Sequence, residues 1–166
     1  MSKTEKNYQY PHSIGSGPSQ AAFQRFEQIC KAAGLKVTQQ RLEIYRQLLK
    51  AKDHPAAETL HSRLARRLPT LSLDTVYRTL ATFERLGLLH RLETTSSQAR
   101  YEALTTPHHH FLCNRCGTII DFRWQEFDAL EPPPPPDGAG RVERTNAVMH
   151  GQCADCLQAF ADTAQN

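Results

Sequence analysis

Residues 72–95 read SLDTVYRTLATFERLGLLHRLETT, and this stretch decides the fold. Ser72 is a favoured N-cap, and Val76, Leu80, Phe83 and Leu86 recur at the spacing of one helical face that ends at Gly87. Upstream, Pro55 suits a helical first turn, so a helix is expected from Pro55 with Leu60, Leu64 and Leu68 four apart, ending at Pro69. Two helices joined by the short Pro69-Thr70-Leu71 turn make a helix-turn-helix candidate. Downstream, LLHRLETT and ARYEAL flank the polar Ser96-Ser97-Gln98 and read as a two-stranded wing.

Two further helices precede this unit. Residues 20 to 33 place Phe23, Phe26 and Cys30 at helical spacing and stop at Gly34. Thr38 then caps a second helix, in which Leu42, Tyr45 and Leu49 form an apolar stripe. The expected organisation is a flexible arm over residues 1–19, a winged-helix domain over 20–104, and a second domain over 105–166. The arm carries Gly15, Gly17 and Pro18 and no hydrophobic periodicity.

Charge divides the chain at the same place. Residues 20–104 carry fourteen Lys and Arg against eight Asp and Glu, whereas residues 105–166 carry four against eight. A basic front and an acidic back suit a polyanion bound by the front alone. On the second helix of the pair, Thr75 and Arg78 occupy the early exposed face, and Tyr77 adds a ring beside the Arg78 guanidinium. Such side chains contact phosphates, guanine edges or thymine methyls. No apolar run is long enough for a bilayer and the start lacks a signal-peptide core, so no membrane partner is expected and the cytoplasm is the expected location.

The back half carries the metal chemistry. Cys113/Cys116 and Cys153/Cys156 are two Cys-x-x-Cys pairs, and four thiolates can close a tetrahedron round one structural Zn²⁺. Cys30, the fifth cysteine, falls in a helical pattern and reads as a small buried apolar residue. The segment HHHFLCNRCGTIIDF reads as a strand, a turn at Gly117 and a returning strand. Strand alternation puts His108 and His110 on one face and His109 and Phe111 on the other. With His54, Glu102 and Asp121, the His108/His110 pair would make a three-nitrogen, two-oxygen shell, which suits Fe(II), Mn(II), Co(II) or Zn(II) better than Cu(I) or Ca(II).

From about Gly34 to Cys156 the chain resembles the ferric uptake regulator (Fur) family, on the motifs LKVTQQR, DTVYRTLATFERLGL, ARYE, HHHFLCNRCG and CADC in that order. The resemblance implies an α+β protein with an N-terminal winged helix-turn-helix domain and a small C-terminal α/β dimerisation domain holding a four-cysteine zinc site. It implies a homodimeric, metal-dependent transcriptional repressor that binds palindromic double-stranded promoter DNA. Carried over by motif, Lys36, Tyr77 and Arg78 look like DNA contacts. His54, Glu102, His108, His110 and Asp121 look like the regulatory shell, for Fe²⁺ or Mn²⁺. Asp at position 121, where iron sensors commonly have Glu, resembles the peroxide-sensing (PerR) branch; an iron-uptake or other metal-homeostasis repressor is the alternative.

Two departures from the family stand out. FRWQEFDALE runs into Pro132–Pro136, which cannot continue a helix and shortens the expected dimerisation helix before a strand over RVERTNAVMHGQC returns the last Cys pair. Thr145 stands where many members have a His ligand, so an extra metal site at His109 and Asp128 is expected to be weak or absent; His150 reads as a surface residue and 157–166 as a short amphipathic tail. A zinc-dependent hydrolase is the competing class. It lacks an HExxH or nucleophile-elbow motif and leaves the winged-helix half without a role.

Overall fold

The computed structural model describes residues 19–94, 98–103, 107–142 and 144–163. All of the expected N-terminal arm except Ser19 lies outside the described residues, as do Ser96 and Ser97 of the expected wing turn.

Helices α1 (Gln20–Ala32), α2 (Gln39–Lys50) and α4 (Leu73–Arg85) start where their capping residues place them. The side-chain oxygens of Ser19, Thr38 and Ser72 accept the backbone N–H groups of Ala22, Arg41 and Thr75. The end of α4 is closed by Gly87 at φ +64°, where the Leu88 N–H donates to the Phe83 carbonyl at 2.9 Å.

Helix α3 (Ala57–Ala65) departs from expectation at both ends. Pro55 is not its first residue, because the Pro55 carbonyl accepts the Tyr101 N–H at 3.1 Å and so holds the chain against the wing. The helix also stops short of Pro69: the N–H groups of Arg67 and Leu68 both return to the Leu64 carbonyl at 2.9 Å, a tight closing turn.

The wing consists of β1 (Leu89–Leu92) and β2 (Arg100–Ala103), antiparallel, with His90 opposite Glu102. The four helices and the wing share one core. Phe26 stacks on Tyr45 at 4.5 Å between centroids, and both meet Phe83 edge-on at 5.5 and 6.0 Å. Leu60, Leu64, Val76, Leu80, Leu88 and Leu89 close the cluster at 0–1% exposure. Each such side chain contributes about 1.5–3 kcal/mol by leaving water, so this half has a core of its own.

A three-stranded sheet follows, in the order β4-β3-β5. Strands β3 (His109–Cys113) and β4 (Ile119–Phe122) form an antiparallel hairpin whose turn uses Gly117 at φ +72°. Helix α5 (Gln125–Asp128) is a single turn, in keeping with the proline run that follows it. The returning strand β5 (Val148–Gly151) pairs parallel to β3 and is much shorter than the segment RVERTNAVMHGQC expected to form it. Gly151 is required for close approach, since a Cβ there would lie 2.9 Å from the Phe111 ring. The tail is a helix, α6 (Ala154–Thr163), beginning directly after Cys153 and exposing Leu157 and Phe160. Among the described residues no helix is long and apolar enough to cross a membrane.

Candidate metal centres

His54, Glu102, His108, His110 and Asp121 come from four separate places in the chain and offer ligand atoms all within 4.8 Å of one another. Their convergence follows from local structure. Glu102 sits on β2, next to the Tyr101 whose N–H holds Pro55, so the same contact delivers His54 to the Glu102 carboxylate. In the β3–β4 pairing His110 lies opposite Asp121. His108 and His110 share a face by strand alternation.

Glu102 Oε2 lies 2.8 Å from His108 Nε2, 3.2 Å from His110 Nε2 and 3.3 Å from His54 Nε2. The Nε2 atoms of His108 and His110 face each other at 3.1 Å. His54, Glu102, His108 and His110 are all buried, with exposures of 8% or less. Buried ring nitrogens crowded on one carboxylate oxygen form a donor set that a cation would satisfy better than hydrogen bonds can. The observed chemistry, three imidazoles and two carboxylates, therefore fits a divalent transition metal.

Backbone geometry adds to this. His54 has φ +47°, a positive value found at no other non-glycine residue among those described. A left-handed histidine directly before a proline is held against its own preference, a condition that concentrates at functional sites.

The electrostatics are those of a tightly coupled polar cluster. Burial pushes the His54 pKa down, but hydrogen bonds to Asp121 and Glu102 overcome it and raise it to about 9. Burial pushes Glu102 up, yet hydrogen bonds from His108, His110 and His54 hold it well below the usual carboxylate range. These groups organise around charge they share, and carboxylates so held are ready ligands.

Cys113, Cys116, Cys153 and Cys156 also come within 4.8 Å of one another by their Sγ atoms. No disulfide joins them: Cys116 Sγ and Cys153 Sγ are 3.6 Å apart. Backbone N–H groups of Cys116 and Cys153 draw the Cys113 thiol down to about 6, and burial pushes Cys156 up to about 12. A thiolate at one corner and a reluctant thiol at another suit a soft divalent ion that would deprotonate all four. Arg115, inside the first pair, donates to the Cys156 carbonyl at 3.0 Å and ties the two turns together.

His109 faces away from the five-donor cluster. Its Nδ1 accepts the Ala147 N–H at 3.1 Å, so a neutral ring carries its proton on Nε2, which faces Asp128 Oδ1 at 3.2 Å. That tautomer cannot offer Nε2 to a metal. Thr145, at the position where the sequence departs from the family, is exposed.

Two neighbours of Glu102 were not anticipated. His90 Nδ1 lies 3.7 Å from Glu102 Oε1, and the Arg144 guanidinium packs against the same imidazole, touching both ring nitrogens. Burial and the Arg144 charge push the His90 pKa down to about 4, so the ring is neutral. Cross-strand pairing of His90 with Glu102 was legible in the wing pattern. Nothing local in the sequence marks Arg144.

The residues expected to touch DNA lie on the winged half. Arg78 and Tyr77 are exposed on α4, and Thr75 is partly buried one turn nearer its N-terminus. The Tyr77 hydroxyl donates to Glu58 at 2.5 Å, and Arg78 pairs loosely with Asp74 at 3.6 Å. Lys36 is exposed before α2, and its carbonyl accepts from Arg41 at 2.7 Å. Thr38, Arg41, Thr75 and Arg78 line one shallow polar cleft between α2 and α4.

Residues 32–133 match the ferric uptake regulator family. The peroxide-responsive repressor PerR of Staphylococcus epidermidis is 29% identical over 128 residues, covering 77% of this chain and 85% of that protein. The peroxide operon regulator of Bacillus subtilis is 29% identical over 126 residues, covering 76% and 87%. Among solved structures, the Helicobacter pylori ferric uptake regulator, described as having three functional metal binding sites, superposes with a TM-score of 0.68 at 25% identity over 83% of this chain and 93% of that one. A zinc-bound manganese uptake regulator superposes at 0.58 with 30% identity, over 76% and 97%. The chain belongs to the ferric uptake regulator family and is a transcriptional regulator, not an enzyme.

Proposed function

We propose that this protein is a cytoplasmic, homodimeric repressor that grips a palindromic operator when a regulatory metal is loaded and lets go when peroxide destroys that site. The observation that carries the reading is the convergence of His54, Glu102, His108, His110 and Asp121 between the winged half, residues 20–104, and the second half, residues 105–166. Donors drawn from both halves make the angle between them depend on whether a cation is held. In a dimer that angle sets the separation of two α4 helices, which must match the pitch of the major groove. Loading then shifts a population toward the DNA-competent arrangement without unfolding.

Zn²⁺ held by Cys113, Cys116, Cys153 and Cys156 is the structural ion, and Fe²⁺ or Mn²⁺ is the regulatory one. Bound ferrous iron would supply the electrons that split peroxide beside His54, His108 and His110, whose imidazoles are the oxidisable groups of the shell. The chain's own part is to hold those rings in place, exclude bulk water by burial and carry Thr75, Tyr77, Arg78 and Lys36 to the operator. The PerR-like relatives and Asp121 favour peroxide as the signal.

The test is to load zinc-containing protein anaerobically with Fe(II) or Mn(II), measure operator binding, add peroxide and map oxygen addition by mass spectrometry. Loss of binding with Fe(II) but not Mn(II), with oxygen added at His54 or His108, is the expected result. Metal-dependent binding that survives peroxide would make the protein an iron or manganese sensor. Binding indifferent to metal would end the switch reading.

A further inference from the structure

The segment that follows the proline run touches, at two places, the strands that carry the regulatory cluster. Ala147 grips the histidine strand twice, its carbonyl accepting the His110 N–H at 3.2 Å and its N–H donating to His109 Nδ1 at 3.1 Å. Three residues earlier, Arg144 reaches across to the wing and packs against His90. His90 in turn stands 3.7 Å from Glu102 Oε1, a buried oxygen that makes no hydrogen bond, while Glu102 Oε2 faces the three ligand histidines. The Arg144 guanidinium is partly buried and sits within the field of Glu102.

We propose that Arg144 is an affinity-setting residue of the five-donor centre: its fixed charge, placed behind Glu102 by the Ala147 anchor, weakens the hold on a divalent cation. The proposal rests on the reading of that centre as the regulatory metal site. Two carboxylates are enough to neutralise one divalent ion. A permanently charged guanidinium behind one of them leaves the loaded centre with an uncompensated positive charge in a poorly screened setting. An ion that binds more weakly loads only when its free concentration is high, so Arg144 sets the threshold at which the regulator responds. Because it lies on the segment returning from Pro132–Pro136, this chain's departure from its family reaches the metal centre through one side chain.

The test uses the full-length, zinc-loaded protein and Mn(II) alone as the probe, with affinity read by competition against a fluorescent chelator. R144M removes the charge and keeps an unbranched apolar stem, whereas R144K keeps the charge. The expected result is Mn(II) affinity at least roughly tenfold tighter in R144M and unchanged within about threefold in R144K. Equal or weaker affinity in R144M would overturn the proposal and leave Arg144 a packing contact. His108→Ala, assayed in parallel, must lose Mn(II) binding. If it does not, the centre itself has been misread, a failure distinct from that of Arg144. Zinc content and circular dichroism of each variant check that the fold is kept.

Discussion

His54 Nε2 stands 2.9 Å from Asp121 Oδ1, which joins the loop after α2 to the second strand of the sheet. It is shorter than the 3.3 Å contact of the same nitrogen with Glu102, and it crosses from the winged half to the half that holds the cysteines. We predict that His54→Asn separates metal response from folding. Asn tolerates the left-handed φ of +47° at this position and leaves a polar group in the pocket, so thermal stability should change little. Regulatory metal affinity should fall by at least about 10–100-fold, with loss of Mn(II)-dependent operator binding in a gel shift. Retained metal dependence would remove His54 from the shell.

Asp121 offers a sharper variant. Asp121→Glu adds one methylene and carries the carboxylate past the position from which it meets His54 at 2.9 Å. The donor set is chemically unchanged, so Mn(II)-dependent DNA binding is expected to persist. Oxidation chemistry depends on placement far more steeply than binding does. The rate at which peroxide abolishes Fe(II)-dependent binding should therefore drop roughly tenfold to a hundredfold. An unaltered rate would show that Asp at this position does not distinguish peroxide sensing from iron sensing.

The winged half was legible because each of its signals is local. Ser72 and Gly87 bracket α4, Thr38 caps α2, and the apolar spacing that built the first core was readable residue by residue. What misled was Pro55, whose fitness for a helical first turn is a local preference, overridden by the Tyr101 N–H that its carbonyl accepts across the domain. The five donors were nameable from strand alternation and family resemblance. Their convergence was not derivable, since it depends on the left-handed turn at His54 and on a β2 contact far away in sequence. Arg144 was invisible for the same reason: its position follows from the path of the chain after the proline run, which no periodicity encodes. The extent of β5 was overestimated because only Val148–Gly151 finds a partner on β3.

The cysteine centre should govern the stability of the sheet but not of the winged half. Apart from Cys113, Cys153 and Cys156, the cysteine cluster has only the partly buried Phe111 and Ile120 packed against it, and the sheet adds Leu112, Ile119 and Phe122, a small core for three strands. Structural zinc sites contribute about 10–16 kcal/mol in small domains. We predict that Cys156→Ser abolishes zinc retention and that hydrogen exchange then speeds across β3 and β5. Amides of α2 and α4, packed round Phe26, Tyr45 and Phe83, should remain protected. Uniform deprotection of both halves would show that the two cores fold as one unit.

At Arg78 we expect affinity for the operator to separate from everything else the fold does. Its side chain is 81% exposed, and its 3.6 Å pairing with Asp74, itself 75% exposed, contributes little to stability. Arg78→Ala should therefore leave stability within about 0.5 kcal/mol and metal affinity untouched. Operator binding by the metal-loaded protein should weaken by about 1–3 kcal/mol, and the ratio of operator to random-sequence affinity should fall with it if the guanidinium reads a base edge. A uniform loss on all sequences, with the salt dependence reduced by about one unit, would instead make Arg78 a phosphate clamp. Binding that is unaltered on every sequence would place the DNA interface elsewhere than the exposed face of α4.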